Sequence, residues 1–268
     1  MISKFQRLAK DVLPPFIARY IRRYRSAKDL EKTKHYIPDF KRSIEHRQTE
    51  ADRGVIFQIF VSEDYALDRL KRAREIQSFF DGIQRPLIVD AGANIGAAAI
   101  WFACKYPGSK VVAIEPEGAN YSLLQRNVAG LNVLAVHGAI SDRKGTLELF
   151  DPGRGDWGFS THGEGEAISC VRAYTLRELV ELEPDTVPFI LKLDVEGAET
   201  GLFEDDPETY GRFPIIIVEL HDWMLPRKGT SQSFLRWHSS RNRDLVIRGE
   251  NLISICNELL PHGLQGCA

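Results

Sequence analysis

The residues able to do chemistry in this chain gather at the ends of apolar runs. The run 188–193 leads into Asp194-Val195-Glu196-Gly197-Ala198-Glu199, three carboxylates within six positions, and Lys192 shares strand parity with Asp194. Such a set can place a general base or bind a metal; it can equally cap the following helix and pair with Lys192. Glu196 and Glu199, three apart, are expected on one face of a helix over 197–204. The next run ends in Val218-Glu219-Leu220-His221-Asp222. By titration range His221 is the best general-base candidate, with Asp194 orienting it or the acceptor. Asp194, Glu219 and His221 offer an alternative: together they could hold a divalent cation that lowers a hydroxyl's pKa. His35, His46, His137, His162, His238 and His262 have no comparable context.

A second constellation opens with Leu87-Ile88-Val89-Asp90-Ala91-Gly92-Ala93-Asn94-Ile95-Gly96. A parallel strand running into a tight turn and a helix is how an α/β domain forms a nucleotide pocket. Asp90 would repel a pyrophosphate at close range, and the pattern is D-x-G-x-N-x-G rather than the dinucleotide fingerprint G-x-G-x-x-G. A ligand with a cationic amino group, an adenosine and no phosphate fits better, and S-adenosylmethionine is such a ligand. Asp90 and Gly92 begin a turn expected to hold its methionine end, and Asn94 and Gly96 are counted with them as cofactor-binding residues. Glu115, 25 positions after Asp90 and at the end of a second strand, is placed to accept both ribose hydroxyls, or else to cap the next helix. In the loop after the third strand, Ser141 and Asp142 could meet an adenine amino edge, or form a plain turn.

These residues need a scaffold of alternating strands and helices. Strands are predicted at 87–90, 110–114, 132–137, 146–150, 167–172, 188–193 and 214–220, and helices at 62–81, 96–106, 118–129, 176–182 and 197–204. Thr175-Leu176-Arg177-Glu178 reads as a capping box, and Gly249-Glu250 as the turn of a C-terminal hairpin. A parallel α/β sheet finished by an antiparallel hairpin is the expected architecture. With 268 residues, 43% hydrophobic and 27% charged, the chain suits one large α/β domain plus an N-terminal extension. The boundary is set at 54/55, with a polar linker over 26–54.

A net charge of −2 excludes a global nucleic-acid signature. Residues 1–35 nevertheless carry ten lysines and arginines against three acids, +7 locally, leaving −9 for the remainder. Residues 1–25 are amphipathic and interrupted by Pro14-Pro15, so two short helices are expected. They could pack on their own domain or in a homodimer, or lie as a peripheral contact on an anionic membrane surface. Cys104, Cys170, Cys256 and Cys267 are scattered, which points to a reducing cytoplasm and no disulfide framework.

Val89-Asp90-Ala91-Gly92-Ala93-Asn94-Ile95-Gly96, Glu115-Pro116, Ser141-Asp142, Lys192-Leu193-Asp194-Val195-Glu196-Gly197-Ala198-Glu199 and Glu219-Leu220-His221 resemble, in order and spacing, the motifs of the FkbM family of adenosylmethionine-dependent methyltransferases. The resemblance covers about 85–260. It implies a class I Rossmann-like methyltransferase fold with a seven-stranded sheet, and O-methylation of a hydroxyl on a sugar, polyketide or related metabolite. The loop 151–166, with Trp157 and Phe159, departs from the pattern, as does the basic arm. Two other functional classes compete. An NAD-dependent oxidoreductase is disfavoured by Asp90 and by the missing fingerprint. A catalytically silent nucleoside-binding module is disfavoured by the retention of Asp194, Glu196 and His221.

Overall fold

The computed structural model describes residues 33–150, 167–196 and 199–259. The basic arm, the loop 151–166 with Trp157 and Phe159, Gly197 and Ala198 lie outside the described residues. The chain divides into two compact units, Met1–Glu63 and Asp64–Ala268.

Within the first unit, β1 (Lys34–Ile37) pairs antiparallel with β2 (Arg42–Glu45) and is followed by α1 (Glu50–Phe57). From residue 34 onward, ordered structure therefore replaces the expected linker. Four-residue strands are too short to show a period, and part of what fixes the segment is an ion pair. The buried Asp52 carboxylate accepts from Arg47 at 2.8 Å and 3.2 Å and from its backbone N–H at 2.6 Å. Such a pairing leaves no mark on hydrophobic patterning.

The second unit begins with a 3₁₀ turn, Leu67–Arg69, and α2 (Ala73–Gly82). The predicted helix over 62–81 is thus realised only in its second half. Tyr65 and Ala66 are buried instead in a turn and Leu67 in the 3₁₀ segment, so tertiary burial overrides the helical spacing. Next come β3 (Pro86–Ala91), α3 (Ala97–Lys105), β4 (Lys110–Glu115), α4 (Gly118–Asn127) and β5 (Val133–His137). The short β6 (Ala139–Ile140), β7 (Gly145–Phe150) and β8 (Ala167–Tyr174) lead to α5 (Leu176–Glu181) and β9 (Val187–Leu193). The chain then runs through α6 (Leu202–Asp205), α7 (Pro207–Gly211), β10 (Ile215–Glu219), α8 (Gln232–Ser239), β11 (Arg243–Arg248) and β12 (Asn251–Cys256).

Seven strands form one sheet in the order β5-β4-β3-β9-β10-β12-β11, all parallel except β12. All six β3 residues are buried, as befits a strand covered on both faces. The first six residues of α3 are buried too, matching a helix that is apolar all round. The β11–β12 hairpin turns at Gly249-Glu250 with Arg248 opposite Asn251, as its sequence predicts. The capping box also forms: the Thr175 side chain accepts from the Glu178 N–H, and Glu178 returns a bond to the Thr175 N–H. Two predicted strands leave the main sheet, because β7 and β8 pair antiparallel and join β6 in a separate three-stranded sheet. Cys256 is disulfide-bonded, where the scattered cysteine spacing predicts no disulfide framework. Among the described residues, no helix is long and apolar enough to cross a membrane.

Candidate active site

Since β3, β4, β9 and β10 are parallel, their carboxyl ends share one edge of the sheet. In open α/β sheets that edge is where ligands bind. At the end of β3 the chain turns through Gly92 (φ 76°), Asn94 (φ 48°) and Gly96 (φ 88°), three left-handed residues within five positions. Gly92 is required there for two reasons: its φ suits glycine, and a Cβ would collide with the Asp194 carbonyl oxygen. The turn is tied down from both sides. Gly92 and Ala93 donate to the Ile114 carbonyl at 3.1 Å and 3.0 Å, and the Asn127 amide donates to the Ile95 carbonyl at 2.7 Å.

Asp90 meets its partner within the sheet. It is fully buried, opposite Lys192 in the β3–β9 register, and its carboxylate pairs with the Lys192 ammonium at 3.1 Å. Its charge is therefore directed at Lys192 within the protein, and Asp90 supports the turn through that lysine. Lys192 also donates to the Gly92 carbonyl at 2.7 Å and lies 3.5 Å from Asp194. Burial disfavours the Lys192 charge, but Asp90 and Asp194 outweigh it and hold the ammonium protonated more firmly than usual. Burial pushes the Asp90 carboxyl upward against the pull of Lys192. Tyr65 completes this layer. Its ring stacks on Phe102 at 5.5 Å, and burial holds its phenol proton on. Sequence reasoning missed Tyr65 because it falls inside a stretch with helical spacing.

Glu115 lies at the end of β4. Its carboxylate accepts from the Asn94 N–H at 2.8 Å, the Glu117 N–H at 3.0 Å and the Asn120 amide at 3.2 Å. Burial nevertheless pushes its pKa up to about 7. The helix cap that was the alternative for Glu115 is supplied by Glu117, which accepts from the Ala119 and Asn120 N–H groups. Beside Glu115, the side-chain oxygen of Asn94 is buried without a hydrogen-bond partner among the described residues. His137, set aside on sequence grounds, is the β5 neighbour of Glu115 and stacks on Tyr121 at 4.6 Å.

The third group surrounds His221. Its Nδ1 meets a fully buried Glu199 carboxylate oxygen at 2.6 Å. Its Nε2 faces Glu219 at 3.6 Å, Asp194 at 3.8 Å and Glu196 at 3.9 Å. Burial alone would lower the imidazole pKa; the Glu199 hydrogen bond and the charges of Glu199, Asp194 and Glu196 push it up to about 9. Burial, then Asp194, raises Glu196 to about 7 and Glu219 to about 8. Glu196 and Glu199 do not share a helix face as expected. Glu196 is left-handed (φ 51°) and α6 starts only at Leu202, so both reach His221 from a turn.

Ser141 and Asp142 follow β6. The Ser141 N–H donates to the Tyr174 carbonyl at 2.8 Å and its hydroxyl to Asp142 at 3.0 Å, and Asp142 approaches Gly201. The structure thus unites Asp90, Gly92, Lys192 and Asp194 in one contact chain, links Asn94 to Glu115 in a second, and sets Asp194, Glu196, Glu199 and Glu219 around His221. No direct contact joins Ser141 or Asp142 to Glu115 among the described residues.

The model of the FkbM methyltransferase domain matches residues 90–243 of this chain, from the buried aspartate of β3 to the start of β11. The chain belongs to the FkbM methyltransferase family. Its sheet order, with the antiparallel β12 between β10 and β11, is that of a class I methyltransferase. Methyltransferase sdnD of Sordaria araneosa is 45% identical over 69 residues, covering 24% of this chain and 26% of that protein. Methyltransferase 1 of Beauveria bassiana (strain ARSEF 2860) is 29% identical over 160 residues, covering 50% of this chain and 64% of that protein. This FkbM-family chain therefore spans less than two thirds of either curated relative. A crystal structure of methyltransferase FkbM from Methylobacillus flagellatus KT aligns over 89% of this chain and 60% of its own, at 13% identity and a TM-score of 0.43.

Proposed function

We propose that this chain is an S-adenosylmethionine-dependent O-methyltransferase acting on a hydroxyl of a sugar, glycan or related metabolite. The observation that carries the reading is the shared sheet edge, where the Asn94–Glu115 pair stands at the ends of β3 and β4 and a carboxylate-ringed imidazole at the ends of β9 and β10. The first pair suits a nucleoside. Asn94 presents a buried oxygen lacking a donor among the described residues, and Glu115 is a carboxylate whose raised pKa ribose hydroxyl donors would draw back down.

When bound, adenosylmethionine supplies an electrophilic methyl group. The protein must position the acceptor oxygen and take its proton. His221 is the base expected from sequence, but its pKa of about 9 leaves both ring nitrogens protonated at neutral pH. Glu196 is the better acceptor, since its pKa of about 7 matches a neutral working range. His221, held by Glu199, and Asp194, held by Lys192, position that carboxylate and the acceptor hydroxyl.

Calorimetric titration with adenosylhomocysteine tests the cofactor assignment. The full-length chain is expected to bind it and to ignore NAD. Glu115→Ala is expected to weaken binding by about 1.5–3 kcal/mol, the range for hydrogen bonds to a charged group, or roughly 10–150-fold. Equal affinity in a folded Glu115→Ala variant would refute the ribose assignment. Tight NAD binding by the wild-type chain would restore the oxidoreductase alternative. For the basic arm, we propose packing or dimerisation rather than membrane contact. Full-length protein is then expected to stay in solution with anionic vesicles at every salt concentration; salt-sensitive co-sedimentation lost on deleting residues 1–25 would reverse that preference.

A further inference from the structure

We infer that Asp194, Glu219 and His221 form a binding site for one divalent first-row cation of the Mn²⁺ type. One ligand atom from each residue can be chosen so that all three lie within 4.8 Å of one another. The spacing is informative. Nε2 stands 3.6 Å from Glu219 and 3.8 Å from Asp194, too far for a hydrogen bond. Two ligands each about 2.1–2.2 Å from a common ion are separated by roughly 3.0–4.3 Å as the angle between them opens from a right angle to a straight line. Both separations fall inside that interval.

A second observation points to a ligand independently of the carboxylates. His221 is only 1% exposed, yet its Nε2 makes no hydrogen bond among the described residues and is directed into the carboxylates. Its other nitrogen is held at 2.6 Å by Glu199, itself fully buried. A carboxylate on the far nitrogen of a histidine fixes the ring and raises its strength as a metal ligand. Asp194 divides its two oxygens similarly: one is 3.5 Å from Lys192, and the other faces His221.

Charge also favours a cation. Asp194, Glu196, Glu199 and Glu219 face His221, and a cation bound there takes the place of the proton on its Nε2, which leaves as the ion binds. Two carboxylate oxygens and one imidazole nitrogen admit a first-row divalent ion, and Mn²⁺, at home among carboxylates, is the member of that row whose spectrum reports a nitrogen ligand. The proposal rests on the methyl-transfer reading only for its chemical use: an ion here would lower the pKa of an acceptor hydroxyl beside Glu196.

The test uses the full-length chain, stripped of metal by chelation and titrated with Mn²⁺ alone, followed by electron paramagnetic resonance. One saturable site is expected, with ¹⁴N modulation from a coordinated imidazole. Glu219→Gln and Glu199→Gln are each expected to weaken Mn²⁺ by about 10–100-fold or more, and His221→Gln to abolish the ¹⁴N signal, with circular dichroism reporting that each variant is folded. No saturable binding up to millimolar Mn²⁺, or bound Mn²⁺ without ¹⁴N coupling in the wild-type chain, would overturn the site. The wild-type spectrum decides even where a variant does not fold. Adenosylhomocysteine titration of the same samples separates the two readings. Mn²⁺ binding without cofactor binding defeats the methyltransferase and keeps the cation site, and the reverse result defeats only the cation site.

Discussion

Lys192→Met is expected to cost this protein about 3–5 kcal/mol of stability, the range for removing one partner of a buried ion pair. Methionine keeps most of the side-chain volume, so the loss is electrostatic. It strands Asp90 with no exposed surface and removes the donor to the Gly92 carbonyl. The penalty has a pH signature. Burial already holds the Asp90 pKa above its unfolded value, and without the ammonium it rises further. A carboxyl with a raised folded pKa loses stability as pH climbs from the unfolded value through the folded one. The deficit of Lys192→Met is therefore expected to be larger at pH 8 than at pH 5, measured by urea unfolding. Asp90→Asn combined with Lys192→Met is expected to recover part of it. A deficit below about 1 kcal/mol at pH 8 would mean that the pair holds little of the turn in place.

Glu196→Gln is expected to reduce turnover by about 10²–10⁴-fold, the usual contribution of a positioned base, with adenosylhomocysteine affinity close to wild type. Glutamine has the same shape and keeps the left-handed backbone no worse than glutamate, so a folding failure is not expected. The wild-type rate requires the ionised carboxylate and should fall as pH drops through about 7. A rate that instead keeps rising until about pH 9 would return the base role to His221, whose proton leaves there. A loss smaller than about threefold in Glu196→Gln would remove Glu196 from proton transfer.

Much of the scaffold is legible in the sequence. Runs such as Leu87-Ile88-Val89 and Ile215-Ile216-Ile217 are apolar because parallel strands are covered on both faces. Gly92 and Gly96 mark the turn because backbone with positive φ favours glycine. Failures occurred where a local pattern competed with tertiary burial, as at Tyr65, or was too short to show a period, as in β1 and β2.

The sequence by itself determined the alternation of strands and helices, the hairpin, the capping box and the identity of the carboxylates at the sheet's edge. Each depends on spacing or on the chemistry of neighbours along the chain. Tertiary structure alone decided what those carboxylates meet. Asp90 faces Lys192, 102 positions away, because β3 lies beside β9, and Glu199 meets Nδ1 of His221 because β9 lies beside β10. Protonation is set by burial and by the nearest opposite charge, and strand order fixes both.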